Sequence, residues 1–165
     1  MRLEGKVAIV TGGGIGIGRS VCQLLAREGA KVTVTDVSEN DAMQAVEDIK
    51  RPGGTAECWH LDVTKEIELK NTFAEIEAEL QRIDVLANNA GISGVDRPAH
   101  EITEAEWDQL TAVNVKGVFI CAKDVIPHLK KGGGVSIISL SSIYGLVGVR
   151  NSMDRWLNHH GSRCT

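Results

Sequence analysis

Three things are scarce or missing in this 165-residue sequence: long apolar runs, an excess of basic charge, and closely spaced cysteines. Nothing approaches the roughly 20 consecutive apolar residues of a membrane-spanning helix, and the opening MRLEGKVAIV has no apolar run of signal-peptide length. The expectation is a cytoplasmic protein with no membrane partner. The net charge is −4 and residues 1–149 show no basic patch, which argues against nucleic acid as a partner. Cys22, Cys58, Cys121 and Cys164 are too far apart for a zinc knuckle or a redox pair, so they read as reduced thiols. Aromatics are only 4% of the chain, and there are no internal repeats or low-complexity segments.

What is present is alternation. Apolar runs at Lys6–Thr11, Lys31–Asp36, Thr55–Leu61, Ile83–Asn88 and Val135–Leu140 read as strands. Helical patterns lie between them at Gly16–Glu28, Glu39–Arg51, Thr64–Arg82 and Thr103–Lys130. Ser38 and Thr64 stand where N-caps belong, and Thr103 with Glu106 has capping-box spacing. Leu69, Phe73, Ile76 and Leu80 mark one apolar face of the third helix. This order predicts an α/β fold, a doubly wound parallel sheet covered on both faces.

The first strand runs into TGGGIGIG at Thr11–Gly18, and a helix follows at once. Glycines there permit a tight turn, let the backbone approach a diphosphate, and leave helix N–H groups aimed at the anion. A triphosphate-binding loop is the rival reading, but its essential lysine is replaced by Arg19, whose planar fork is no substitute. Asp36 closes the second strand, where a carboxylate can accept hydrogen bonds from ribose hydroxyls and would repel a 2′-phosphate. No Lys or Arg stands at positions 13, 14 or 37 to compensate, so NAD is expected over NADP.

With these features the sequence resembles the short-chain dehydrogenase/reductase family over roughly residues 3–149. The resemblance rests on Thr11-Gly12-x-x-x-Gly16-x-Gly18, Asp62 in LDV, Asn88-Asn89-Ala90-Gly91, Asn114 in VNVKG, and Ser142, the second serine of LSSIYG. It implies a Rossmann-type NAD(P)-binding fold and hydride transfer between NAD and a small alcohol or carbonyl compound. It places cofactor contacts at Thr11, Gly12, Gly16, Ile17, Gly18, Asp36, Asp62, Val63, Asn88, Ala90 and Gly91. It gives Asn114 a water in a proton relay and Ser142 a hydrogen bond to the substrate oxygen. On pattern alone Asn114 also reads as a satisfied core amide, on the face that runs Trp107, Leu110, Asn114, Val118, Cys121, Val125.

The family expects a Tyr 13 residues after the serine and a Lys four residues later. Those positions hold Arg155 and His159, and the only tyrosine, Tyr144, is too close to Ser142 to serve. Residues 1–149 carry 15 basic and 21 acidic side chains, whereas residues 150–165 are net basic and patternless. The expectation is a dinucleotide-binding domain at 1–149, truncated after the fifth strand, joined near Arg150 to an unrelated polar tail at 150–165 by a shifted frame or alternative splicing, with natural truncation as the alternative. The resemblance also implies a homo-oligomer, with its main dimer helix absent. The result would be a catalytically incompetent cofactor-binding fragment, or alternatively a non-catalytic nucleotide-binding or regulatory protein.

Overall fold

A computed structural model describes residues 1–95, 97–133 and 136–142. Val135, Tyr144, Arg155, His159 and the segment 150–165 lie outside the described residues. The strands are β1 (Val7–Thr11), β2 (Lys31–Asp36), β3 (Thr55–His60), β4 (Val85–Asn88) and β5 (Ser136–Ser139). They form one parallel sheet in the order β3-β2-β1-β4-β5. Every residue of β1 is buried, as expected for a central strand covered on both faces.

Side chains alternate between two apolar layers. Ala8, Val10, Val32 and Val34 pack beneath α1 (Gly16–Arg27) and α2 (Glu39–Lys50). Ile9 and Leu86 face α3 (Glu66–Leu80) and α5 (Val118–Gly132). The face predicted for the third helix is there: Leu69, Phe73 and Ile76 are fully buried, and Leu80 packs partly against them. Two of the expected caps form. The Ser38 hydroxyl accepts from the Asp41 N–H, and Thr103 with Glu106 makes the full capping box of α4 (Glu104–Thr111).

Two expectations need correction. Thr64 does not cap α3: its N–H and hydroxyl both go to Asp62 Oδ1, at 2.9 and 2.7 Å, so the helix begins after Lys65 with no side-chain cap. An aspartate two residues upstream competes for the hydroxyl that would otherwise turn to the helix. The fourth helix is also not uniform, because α4 passes through a π-helical turn at Ala112–Gly117 before continuing as α5. At the edge of the sheet, Ile138 is half exposed while Ile137 packs on the core.

The end of the sheet opposite the glycine loop is pinned by Asp84, which is 2% exposed. Its carboxylate accepts two bonds from the Arg82 guanidinium at 2.6 and 2.7 Å, one from Lys6 Nζ at 3.1 Å, and one from the Val7 N–H at 2.9 Å. Burial works against the charge, but these donors outweigh it and hold the carboxyl at about 2. An aspartate whose folded pKa is depressed stabilises the fold above its ordinary value near 3.9, and that contribution is lost as pH falls through about 2. Arg82 and Lys6 are partly solvated, so screening reduces the contribution to about 1–2 kcal/mol. Urea unfolding of wild type against Asp84→Asn should show a gap that is widest at pH 5 and shrinks toward pH 2. A gap independent of pH would show that the charge is not what holds this corner.

Candidate cofactor-binding site

The sheet reverses direction of winding between β1 and β4, and a crevice opens there beyond the carboxyl ends of the strands, the place where open α/β sheets receive ligands. A cleft of about 460 Å³ occupies it. Gly12, Gly16, Ile17 and Gly18 form its floor, Asp36 and Val37 one end, Asp62 and Val63 a second wall, and Ala90, Gly91 and Ile92 the third.

At Gly12 and Gly18 the glycine loop is packed too closely for a side chain. Gly12 adopts φ +62°, and a Cβ there would lie 2.9 Å from Ala90 Cα. A Cβ on Gly18 would fall into the Gly12 carbonyl oxygen and the Asn89 amide. The N-terminus of α1 is left open: Ile15 makes no side-chain cap, and no acid stands in the first turn. Free N–H groups and the positive end of the helix dipole suit a diphosphate. The residues therefore fit a dinucleotide: a floor a Cβ would fill, and an uncapped helix end above it.

Asp36 is fixed at one end of the cleft. Its Oδ2 accepts from the Gly14 N–H at 3.0 Å and its Oδ1 from the Ser38 N–H at 3.0 Å, which leaves further lone pairs open to other donors. Asp62 is held below the usual carboxylate range, because its bonds from Thr64 outweigh the opposing effect of burial.

Thr11 and Asn88 are buried and do not line the cleft. The Thr11 hydroxyl accepts from the Asn89 and Ala90 N–H groups, both at 3.1 Å, and so joins the end of β1 to the end of β4. Asn88 turns toward β5, where its Nδ2 donates to Ser139 Oγ at 3.3 Å. The residue missing from the predicted set is Asn89. Its Nδ2 donates to the carbonyls of Thr11 and Gly12, at 3.0 and 2.8 Å, and holds the loop down. The doubled asparagine of NNAG was the available signal, since two adjacent amides at a strand end serve opposite sides.

Asn114 sits in the π-helical turn. Its Oδ1 accepts from the Ile92 N–H and its Nδ2 donates to the Ile92 carbonyl, both at 2.9 Å, which places it against the wall formed by Gly91 and Ile92. Ser142 is half-buried just beyond β5 and is not among the described residues that line the cleft. The Cys22 and Cys121 thiols are pushed up to about 12 by burial and are inert at neutral pH. Among the described residues no cluster could hold a metal, and no helix is long and apolar enough to cross a membrane.

Residues 6–153 match the family model described as short chain dehydrogenase. The cyclopentanol dehydrogenase of Comamonas sp. (strain NCIMB 9872) is 44% identical over 147 residues, which is 89% of this chain and 58% of that protein. The 7alpha-hydroxysteroid dehydrogenase of Clostridium sardiniense is 40% identical, covering 88% of this chain and 56% of its own length. The chain thus spans somewhat over half the length of these curated relatives. Among solved structures, a metagenomic short-chain oxidoreductase in complex with NADP aligns with a TM-score of 0.92 at 30% identity, covering 99% of this chain and 74% of that one. Levodione reductase aligns with a TM-score of 0.88 at 31% identity, over 97% of this chain and 63% of its own. The sheet order, the glycine floor and the sequence match agree, and the chain belongs to the short-chain dehydrogenase family.

Proposed function

We propose that this chain is the cofactor-binding body of an NAD-dependent oxidoreductase acting on a small alcohol or carbonyl compound, and that the polypeptide as written binds the dinucleotide without turning over. The observation that carries the reading is the cleft itself, where a glycine floor, an uncapped helix N-terminus and a fixed carboxylate surround one cavity. Bound there, the nicotinamide would accept or deliver a hydride. Gly12, Gly16 and Gly18 let the backbone approach the diphosphate, and Asp36 accepts from the adenosine ribose. Asp62 and Val63 flank the adenine side, and Ala90 and Gly91 form the wall along which the dinucleotide continues. Asn114 borders that wall, in the position from which the family resemblance has it hold a water for a proton relay.

The alcohol or carbonyl class agrees with the names of three similar proteins, a cyclopentanol dehydrogenase, a 7alpha-hydroxysteroid dehydrogenase and a levodione reductase. Loss of turnover follows from Arg155 and His159 at the positions where the family resemblance expects Tyr and Lys. The second reading, a nucleotide-binding or regulatory protein, rests on that same substitution.

Cofactor choice supplies the test. In calorimetric titrations NAD should bind at least about tenfold more tightly than NADP, since a 2′-phosphate would meet the Asp36 charge. Asp36→Ala should narrow the difference. Equal affinities in wild type would overturn the NAD assignment, and absence of any binding would overturn the reading as a whole.

A further inference from the structure

Two of the helices that begin at the cofactor end of the sheet, α1 and α2, have N-termini finished in opposite ways. That of α1 is uncapped and carries no acid. That of α2 is closed: the Asp41 N–H goes to Ser38 Oγ at 3.4 Å, the Ser38 N–H goes to Asp36 Oδ1, and Glu39 and Asp41 stand in the first turn. The first end draws an anion, and the second turns one away.

Gly14 lies between Asp36 and this closed helix end. Its N–H donates to Asp36 Oδ2, and a Cβ built on it would stand 2.8 Å from Asp41 Cβ and 3.0 Å from Asp36 Oδ2. Asp36, at one end of the cleft, and Asp41, just behind it, therefore stand on either side of Gly14, although Gly14 and Asp41 do not themselves line the cleft. Neither carboxylate forms a salt bridge among the described residues.

We propose that Asp41 is a second determinant of cofactor choice, acting with Asp36 across Gly14 to close the adenosine end of the cleft to a 2′-phosphate. The inference rests on the dinucleotide reading given above. It has two consequences. Removing the Asp36 charge alone leaves a like charge on the far side of Gly14, so the preference for NAD narrows without reversing. Supplying a cation at position 14 does not help, because its Cβ would press on the Asp41 backbone as well as its side chain.

The test is calorimetric titration of the full chain with NAD and with NADP, at low and high salt, for wild type, Asp36→Ala, Asp41→Asn and the double variant. Asp41→Asn keeps the backbone N–H that Ser38 caps, so the helix end is preserved. It should raise the ratio of NADP to NAD affinity about three- to tenfold at low salt. The gain should shrink at high salt, as expected for a charge acting through space. The double variant should exceed either single one. If Asp41 were only a favourable charge at a helix N-terminus, its replacement would lower the melting temperature and leave the affinity ratio unmoved in both backgrounds. That outcome, in a wild type that still prefers NAD, overturns the role of Asp41 and leaves the NAD assignment standing. A wild type that binds the two dinucleotides equally, or neither, overturns the underlying reading and this inference with it.

Discussion

Purified chain, supplied with NAD and a panel of secondary alcohols, is expected to reduce no nicotinamide above background. The reaction needs a group that takes a proton from the alcohol oxygen as hydride leaves carbon, and a positioned acid or base is worth about 10²–10⁴-fold in rate. The position where the family resemblance expects that group holds Arg155. A guanidinium has five donors, no acceptor and no accessible neutral form, so it cannot do the work. His159 stands at the expected lysine, and a histidine does not carry the ammonium of that side chain. Stopped assays by nicotinamide absorbance would check this, with Ser142→Ala as control. Turnover in wild type that disappears in Ser142→Ala would show that the chain is a working dehydrogenase after all.

The second large effect is expected at Gly18, and two opposing terms decide its sign. Gly18 is buried in the first turn of α1, where alanine is intrinsically favoured by about 1 kcal/mol. An added methyl, however, falls into the Gly12 carbonyl oxygen and the Asn89 side-chain amide, which are hydrogen-bonded to each other, the amide also donating to the Thr11 carbonyl. Overpacking of this kind costs about 1–3 kcal/mol, and backbone on one side leaves little to yield. Gly18→Ala should therefore destabilise the fold by about 1–2 kcal/mol net and weaken NAD binding at least about tenfold, because relief comes only by lifting the phosphate-facing loop. Gly16→Ala is the contrasting case. Its φ is +55°, which strains any other residue, yet nothing lies within 4 Å of the added methyl. It should lose about 1–2 kcal/mol from backbone strain alone. Thermal unfolding and calorimetry of both variants would separate the two mechanisms. A Gly18→Ala protein with parental stability and affinity would mean that the loop is not packed as described.

How much of this was legible in advance varies with the range of the interaction. The central strands were plain because β1 is a nearly continuous apolar run and β2 alternates valine with threonine, and the third helix because Leu69, Phe73 and Ile76 repeat at helical spacing. The glycine loop and Asp36 were legible because their residue types follow from the backbone geometry they serve. Thr64 was misread because capping is a competition, and the rival acceptor Asp62 wins by being two residues away rather than by type. Asn89 escaped the candidate set because its partners, Thr11 and Gly12, are brought near only by pairing β1 with β4. Asp41 was silent for the same reason, since its closeness to Gly14 depends on how α2 settles against the loop. The π-helical turn left one trace: Leu110, Asn114 and Val118 are spaced by fours, slightly more than an α-helix allows over two turns.

That wide turn at Ala112–Gly117 also bears on what kinds of change this protein can absorb. A π-turn is the mark of one residue more than the surrounding helix needs, so a single-residue deletion within it would heal the helix into regular α geometry. The repaired helix would be the better helix. Because the wide turn absorbs its extra residue locally, α4 and α5 would keep their faces, and the change would fall on the turn itself. With α4 held through Leu110 and α5 anchored through Cys121, Val125 and Leu129, it is Asn114, inside the turn, that would be redirected, and its paired bonds to Ile92 would break. The surplus residue is thus a local defect in the helix that aims an amide at the cleft wall. Substitutions along this helix leave that aim in place, whereas a shortening by one codon would sacrifice it even as the helix itself became more regular.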